Sequence, residues 1–111
     1  MSASTDIGLT ESSGNVFDDL AVEDPEEALV KAKLARVIGT IILSRRMTQT
    51  RAAEVLGIDQ PKVPALARGR LTGFSIDRLL RFIVALDRDV EISIKPKPRS
   101  RPHGRLDVAT G

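Results

Sequence analysis

Apolar positions keep a helical period through the middle of this chain and switch to a period of two near its end. Val30, Leu34, Ile38 and Ile41 recur at steps of four, four and three, with Ala35 and Ile42 beside them. Lys31, Lys33 and Arg36 fall largely off that stripe. Asp24-Pro25-Glu26-Glu27 precedes it, an N-cap acid, a proline at the first helical position and two carboxylates near the positive end of the helix dipole. This predicts a first helix running to about Arg45 or Arg46. A second stripe, Ile76, Leu79, Leu80, Ile83 and Leu86, follows Ser75 as N-cap, with Phe74 entering the core and Arg78 and Arg81 on the outer side. After a turn at 87–89, Val90, Ile92 and Ile94 alternate with Glu91, Ser93 and Lys95, which predicts a strand at 89–95.

Between the two stripes, Met47 to Arg70 reads as two short helices that cross closely. Thr48 caps the first, Gln49 to Leu56; Ala53 lies where a longer side chain would hold the helix axes apart. Gly57 ends that helix in a left-handed conformation that costs glycine nothing. Ile58 plugs the corner, Asp59 is the expected N-cap of the next helix, about Gln60 to Ala67, and Val63 and Leu66 turn back toward Leu56 and Ala53. Gln49, Ala53, Gly57 and Val63 together form a helix-turn-helix spacing. Pro61 is harmless at a helix start, where amides have no intrahelical partner. Pro64 is expected to distort the first turn toward 3₁₀ geometry, at up to ~3 kcal/mol in an otherwise regular helix.

A lone strand with one apolar face and two open edges is unstable. The body holds no second convincing strand, so the economical partner is the same strand of a second copy, with Val90, Ile92 and Ile94 as the dimer contact. Pairing with Leu106 to Ala109 is the intramolecular rival.

Length changes the picture little: 111 residues, 41% hydrophobic and 29% charged, suffice for one small domain with flexible ends. The expected division is an acidic arm at 1–23, a helical domain with its dimerisation strand at 24–95, and a basic, proline-interrupted tail at 96–111. Within the arm, Val16, Phe17 and Leu20 form an apolar cluster among acids, suited to docking on the body or to ordering on a partner. The absence of cysteine excludes a disulfide framework and a thiolate metal site, and suits a reducing cytoplasm. The N-terminus does not resemble a signal peptide, and no apolar run is long enough to span a bilayer.

Charge is more informative than its sum of +2. Residues 1–30 carry eight acids and no base, a formal −8, so the other seven acids and all 17 bases give 31–111 a formal +10. A basic body behind an acidic arm suggests a polyanion for the body and a basic partner for the arm, with plain solvation as the alternative. Catalysis finds no support: the one histidine, His103, stands in the tail, and no phosphate loop or metal-ligand cluster is present. No enzyme activity, cofactor or metal is expected.

DNA binding has its parts. In a helix-turn-helix the second helix enters the major groove by its N-terminal residues, which places Gln60, Pro61 and Lys62 first among candidates for base edges. Gln60 suits adenine, Lys62 guanine or a phosphate, and Ala65, one turn on, a thymine methyl. Thr48, Gln49 and Arg51 at the start of the preceding helix, and Arg68 and Arg70 beyond the second, are candidate phosphate contacts.

The run from Ser13-Gly14-Asn15-Val16-Phe17 through Met47-Thr48-Gln49, Leu56-Gly57-Ile58-Asp59-Gln60-Pro61-Lys62-Val63, Arg68-Gly69-Arg70-Leu71 and Asp89-Val90-Glu91-Ile92 resembles the xenobiotic-response-element, or lambda-repressor-like, helix-turn-helix superfamily. It resembles most closely the HigA-like antitoxin branch, over roughly residues 13–100. The resemblance implies a mainly α, four-helix lambda-repressor-like domain with a short C-terminal β-strand pairing across a dimer. It further implies a cytoplasmic, nucleoid-associated autorepressor that binds a double-stranded DNA operator and neutralises a basic RelE/HigB-like ribonuclease toxin, with Val16, Phe17 and Leu20 as toxin contacts. A stand-alone phage-type regulator without a toxin is the alternative. Where that family usually has serine after Gln-Pro-Lys-Val, this chain has Pro64.

Overall fold

A computed structural model describes residues 24–110. Val16, Phe17 and Leu20 therefore lie outside the described residues. Four helices follow one another: α1 Pro25–Ser44, α2 Gln49–Leu56, α3 Lys62–Ala67 and α4 Ile76–Ala85. Each start follows from a local side chain where one is available. Asp24 accepts from the Glu26 amide at 2.9 Å, Thr48 from Arg51 at 3.0 Å and Ser75 from Arg78 at 3.1 Å. Asp59 does not cap α3. That helix starts at Lys62 with Pro61 in the cap position, and no side chain accepts from its first amides.

This later start places Pro64 third in α3 and removes the expected cost. Lys62 and Val63 donate to the carbonyls of Asp59 and Gln60 at 2.9 and 3.0 Å, a tight three-residue spacing. The Gln60 carbonyl is thus already occupied, and the amide that proline lacks has no bond to lose there.

The C-termini share one device. After α1, α3 and α4 the backbone turns left-handed at Arg46 (φ 55°), Gly69 (φ 80°) and Asp87 (φ 65°). In each case that residue and its successor donate back across the last turn. Met47 reaches Ile42, Arg70 reaches Ala65 and Arg88 reaches Ile83, at 3.1, 2.9 and 3.2 Å. Gly57 (φ 70°) ends α2 similarly, with Gly57 and Ile58 both donating to Ala53. A Cβ at Gly57 would meet no atom within 4 Å, so only backbone strain opposes a side chain there. Gly57→Ala is therefore expected to cost ~1–2 kcal/mol in urea denaturation, and Gly57→Asn less; equal stability of both variants with the parent would contradict this account.

Val30, Leu34, Ala35, Ile38 and Ile41 of α1 are buried against α4, where Leu79, Phe82, Ile83 and Leu86 form the opposing wall. Burying each large apolar side chain contributes roughly 1.5–3 kcal/mol, so packing rather than helix propensity holds α1. Phe74 meets Phe82 edge to face at 5.8 Å. The Arg45 guanidinium donates to the Leu86 carbonyl at 2.6 Å, tying the end of α1 to the cap of α4. A smaller cluster, Ala52, Ala53 and Val63, joins α2 to α3; the two alanines let the axes approach. Among the described residues no helix is long and apolar enough to cross a membrane.

The C-terminal segment differs from expectation. Among the described residues there is no strand, and 88–98 has no regular structure. The physical reason is the lack of a backbone partner: beyond Arg88 the one backbone–backbone bond among the described residues is Arg101 to Pro98, so Leu106 to Ala109 does not pair with 90–94. Val90 packs on the chain's own core, whereas Ile92 and Ile94 are 76% and 93% exposed. The tail runs back to the body. Val108 packs against the core, and Lys33 donates to Asp107 at 2.6 Å.

That hydrogen bond from Lys33, helped by the Val108 amide and the lysine's charge, holds the Asp107 carboxyl below the usual carboxylate range. A lowered folded-state pKa means the contribution is complete above the ordinary carboxylate pKa and is lost as pH falls through the lowered one. The Val108 methyl resonances should therefore shift toward their undocked positions only as pH falls below the ordinary carboxylate range, and Asp107→Asn should place them there at neutral pH. Unmoved methyl resonances in Asp107→Asn would show that Val108 alone holds the tail.

Candidate nucleic-acid interface

The helix-turn-helix places its apolar and polar residues on opposite sides. Val63 and Leu66 of α3 are buried, while Gln60, Pro61 and Lys62 at its entrance are exposed. The turn from Gly57 to Pro61 thus delivers three consecutive side chains to solvent. Ala65, one turn on, is only half-exposed and sits in the wall of a cleft. Thr48 and Gln49 at the head of α2 are exposed, although the Thr48 hydroxyl is engaged as cap. Arg51, also exposed, lies 3.3 Å from Glu54, one turn along the same helix. Such a solvated pair is worth ~1 kcal/mol or less and does not prevent the guanidinium from turning to another anion. Arg68 and Arg70 are exposed at the far end of α3, on either side of the left-handed Gly69.

The cleft was not legible beforehand. It has a volume of about 590 Å³ and runs between α1, α3 and the connector leading to α4. Ala28 and Ala32 of α1 form one wall, Ala65, Leu71 and Phe74 the other, and Lys31, Lys62, Arg70 and Arg78 supply four cations. Arg78, expected on the outer side of the last helix, instead lies 5.2 Å from the Phe74 ring and 5.4 Å from the Phe82 ring. The two ring faces hold the guanidinium at the cleft edge. Its position depends on Phe82, which the helical stripe read from the sequence omitted.

From 59 to 70 the exposed charged groups are cationic apart from Asp59, which faces solvent in the turn. The arrangement suits a polyanion with evenly spaced charges, and the uncharged Gln60 and Pro61 beside Lys62 suit the edge of something flat and patterned.

Residues 16–95 match a family described as helix-turn-helix domain. A solved structure described as an XRE-family transcriptional regulator shares 46% sequence identity with this chain. It covers 80% of this chain and 100% of its own length, at a TM-score of 0.74.

Proposed function

Because the chain belongs to the helix-turn-helix domain family and shares the fold of an XRE-family member, we propose that it is a sequence-specific DNA-binding transcriptional regulator, acting as a repressor. The observation that carries the reading is the solvent-facing run Gln60-Pro61-Lys62 at the entrance of a helix whose other side is buried. In this reading Gln60 and Lys62 meet base edges and Pro61 sets their approach. Thr48, Gln49, Arg51, Arg68 and Arg70 hold phosphates on either side, and Ala65 stands at the margin of the contact.

One copy reads one half-site. The exposed Ile92 and Ile94, on a segment whose backbone has no partner among the described residues, favour a homodimer in which 89–95 pairs with its counterpart, Val90 anchoring each segment to its own body. Selection of bound sequences from a random duplex library, followed by footprinting, tests both points. The expected result is two inverted half-sites about one helical turn, ~34–36 Å, apart. A single half-site would overturn the dimer, and no enriched sequence would overturn sequence-specific recognition.

A second reading, favoured by the formal −8 of residues 1–30, makes the protein the autoregulating antitoxin of a basic RelE/HigB-like ribonuclease, with Val16, Phe17 and Leu20 as contacts. Co-expression with a basic protein encoded beside the gene tests it. A stable complex that Phe17→Ala weakens is the expected result. The absence of any complex would leave the regulator without a toxin partner.

A further inference from the structure

The four cations of the cleft surround an apolar floor, a chemistry that fits an acidic segment with large apolar side chains. This chain carries one such segment directly upstream of α1. Val16-Phe17-Asp18-Asp19-Leu20 combines three apolar residues with two acids, and residues 1–23 hold five acids and no base. The family match begins at residue 16 and so takes this segment in with the domain. We propose that the segment around Phe17 docks in cis into the cleft and there competes with DNA for Lys62 and Arg70.

Geometry permits it. Ala28 and Lys31, which line the cleft, lie one and two turns into α1, ~6 and ~10 Å along the axis from Asp24. The four residues from Leu20 to Asp24 span up to ~13 Å when extended, so Leu20 and Phe17 both reach the cleft without moving α1. A tether this short gives an effective concentration of about millimolar, enough for a weak contact to be well populated. The alanines at 28, 32 and 65 leave room where larger side chains would fill the floor, and the half-exposed Leu71, backed by the buried Phe74, offers apolar surface to Phe17. Asp18 and Asp19 then face the cationic rim. Lys62 is among the proposed base-reading residues and Arg70 among the phosphate contacts, so an acidic segment seated beside them repels DNA from the same groups. This competition rests on the DNA-binding reading; the docking does not.

The test uses the full chain. It contains no cysteine, so Ser13→Cys provides a single site for a nitroxide label just before the segment. The expected result is strong paramagnetic broadening of the Gly69, Thr72 and Gly73 amides and little at Ile92, with Phe17→Ala and Asp18→Asn/Asp19→Asn each reducing it several-fold. Absence of broadening at the cleft would overturn the proposal. So would broadening seen only when labelled and isotope-enriched copies are mixed, since the segment would then occupy the cleft of another copy. Adding a short mixed-sequence duplex should abolish the broadening, and Phe17→Ala should bind that duplex several-fold more tightly. Broadening that survives saturating, demonstrably bound duplex would overturn the competition; broadening in the parent chain with no duplex bound even by Phe17→Ala would instead refute the DNA-binding reading while leaving the docking intact. Because loss of an aromatic side chain can perturb the domain, the Asp18→Asn/Asp19→Asn variant, which preserves the apolar residues, provides the independent check.

Discussion

Leu79→Ala is expected to lower the unfolding free energy by ~2–5 kcal/mol in urea denaturation, the range for truncating a buried leucine. Leu79 is fully buried on α4 in the cluster that includes Leu34 and Ile38, and loss of its Cγ and two methyl groups would leave a void that its neighbours close only in part. For a domain of this size, whose total stability is ~5–15 kcal/mol, that is a large fraction. The effect should extend to DNA binding, because α4 supports α1 and α1 in turn supports α3. Leu79→Met, which keeps volume and apolarity, should cost under ~1.5 kcal/mol. A cost for Leu79→Ala no larger than for Leu79→Met would show that α4 is not the wall on which α1 rests.

Lys62→Ala and Gln60→Ala should each weaken operator binding by ~1–3 kcal/mol, measured by fluorescence anisotropy on a selected site. Both side chains are exposed, so neither substitution should shift the unfolding midpoint. The two are separable. If Lys62 meets a phosphate, its loss lowers the salt dependence of binding by about one ion and weakens all sequences alike. If it meets guanine, selectivity at one base pair falls while binding to unrelated DNA changes little. Unchanged affinity in both variants would remove α3 from the recognition surface.

The helices were legible because their signals are local. Thr48, Ser75 and the Asp24-Pro25 pair act within three residues of themselves, and the α1 face is a simple period. Gly57 announced its left-handed turn because glycine favours it. Arg46 makes the same turn without any such sign, and Asp87 with only the general signal of a turn at 87–89, each at a conformational cost offset by the returning backbone bonds and by the packing of residues that follow. Asp59 was a reasonable cap by residue type, but the two prolines downstream let the helix begin later. The candidate DNA-reading residues needed only the offset between two adjacent helices. The cleft needed α1, α3 and the 69–74 connector in register, and the Lys33–Asp107 contact joins residues 74 positions apart. Arg78 could not be assigned its place without knowing that Phe74 and Phe82 would pair.

The brevity of α3 has a consequence for how the proposed recognition element forms. Six residues with a proline among them cannot nucleate a helix in water, since the first turn fixes many torsions for a single bond. The recognition element therefore has no life of its own during folding. It is created when Val63 settles on Ala52 and Ala53 and Leu66 joins the main core. In the proposed reading, recognition is thus bound to the cooperative folding of the domain: a partly folded chain has the cations but not the register that discrimination between DNA sequences requires.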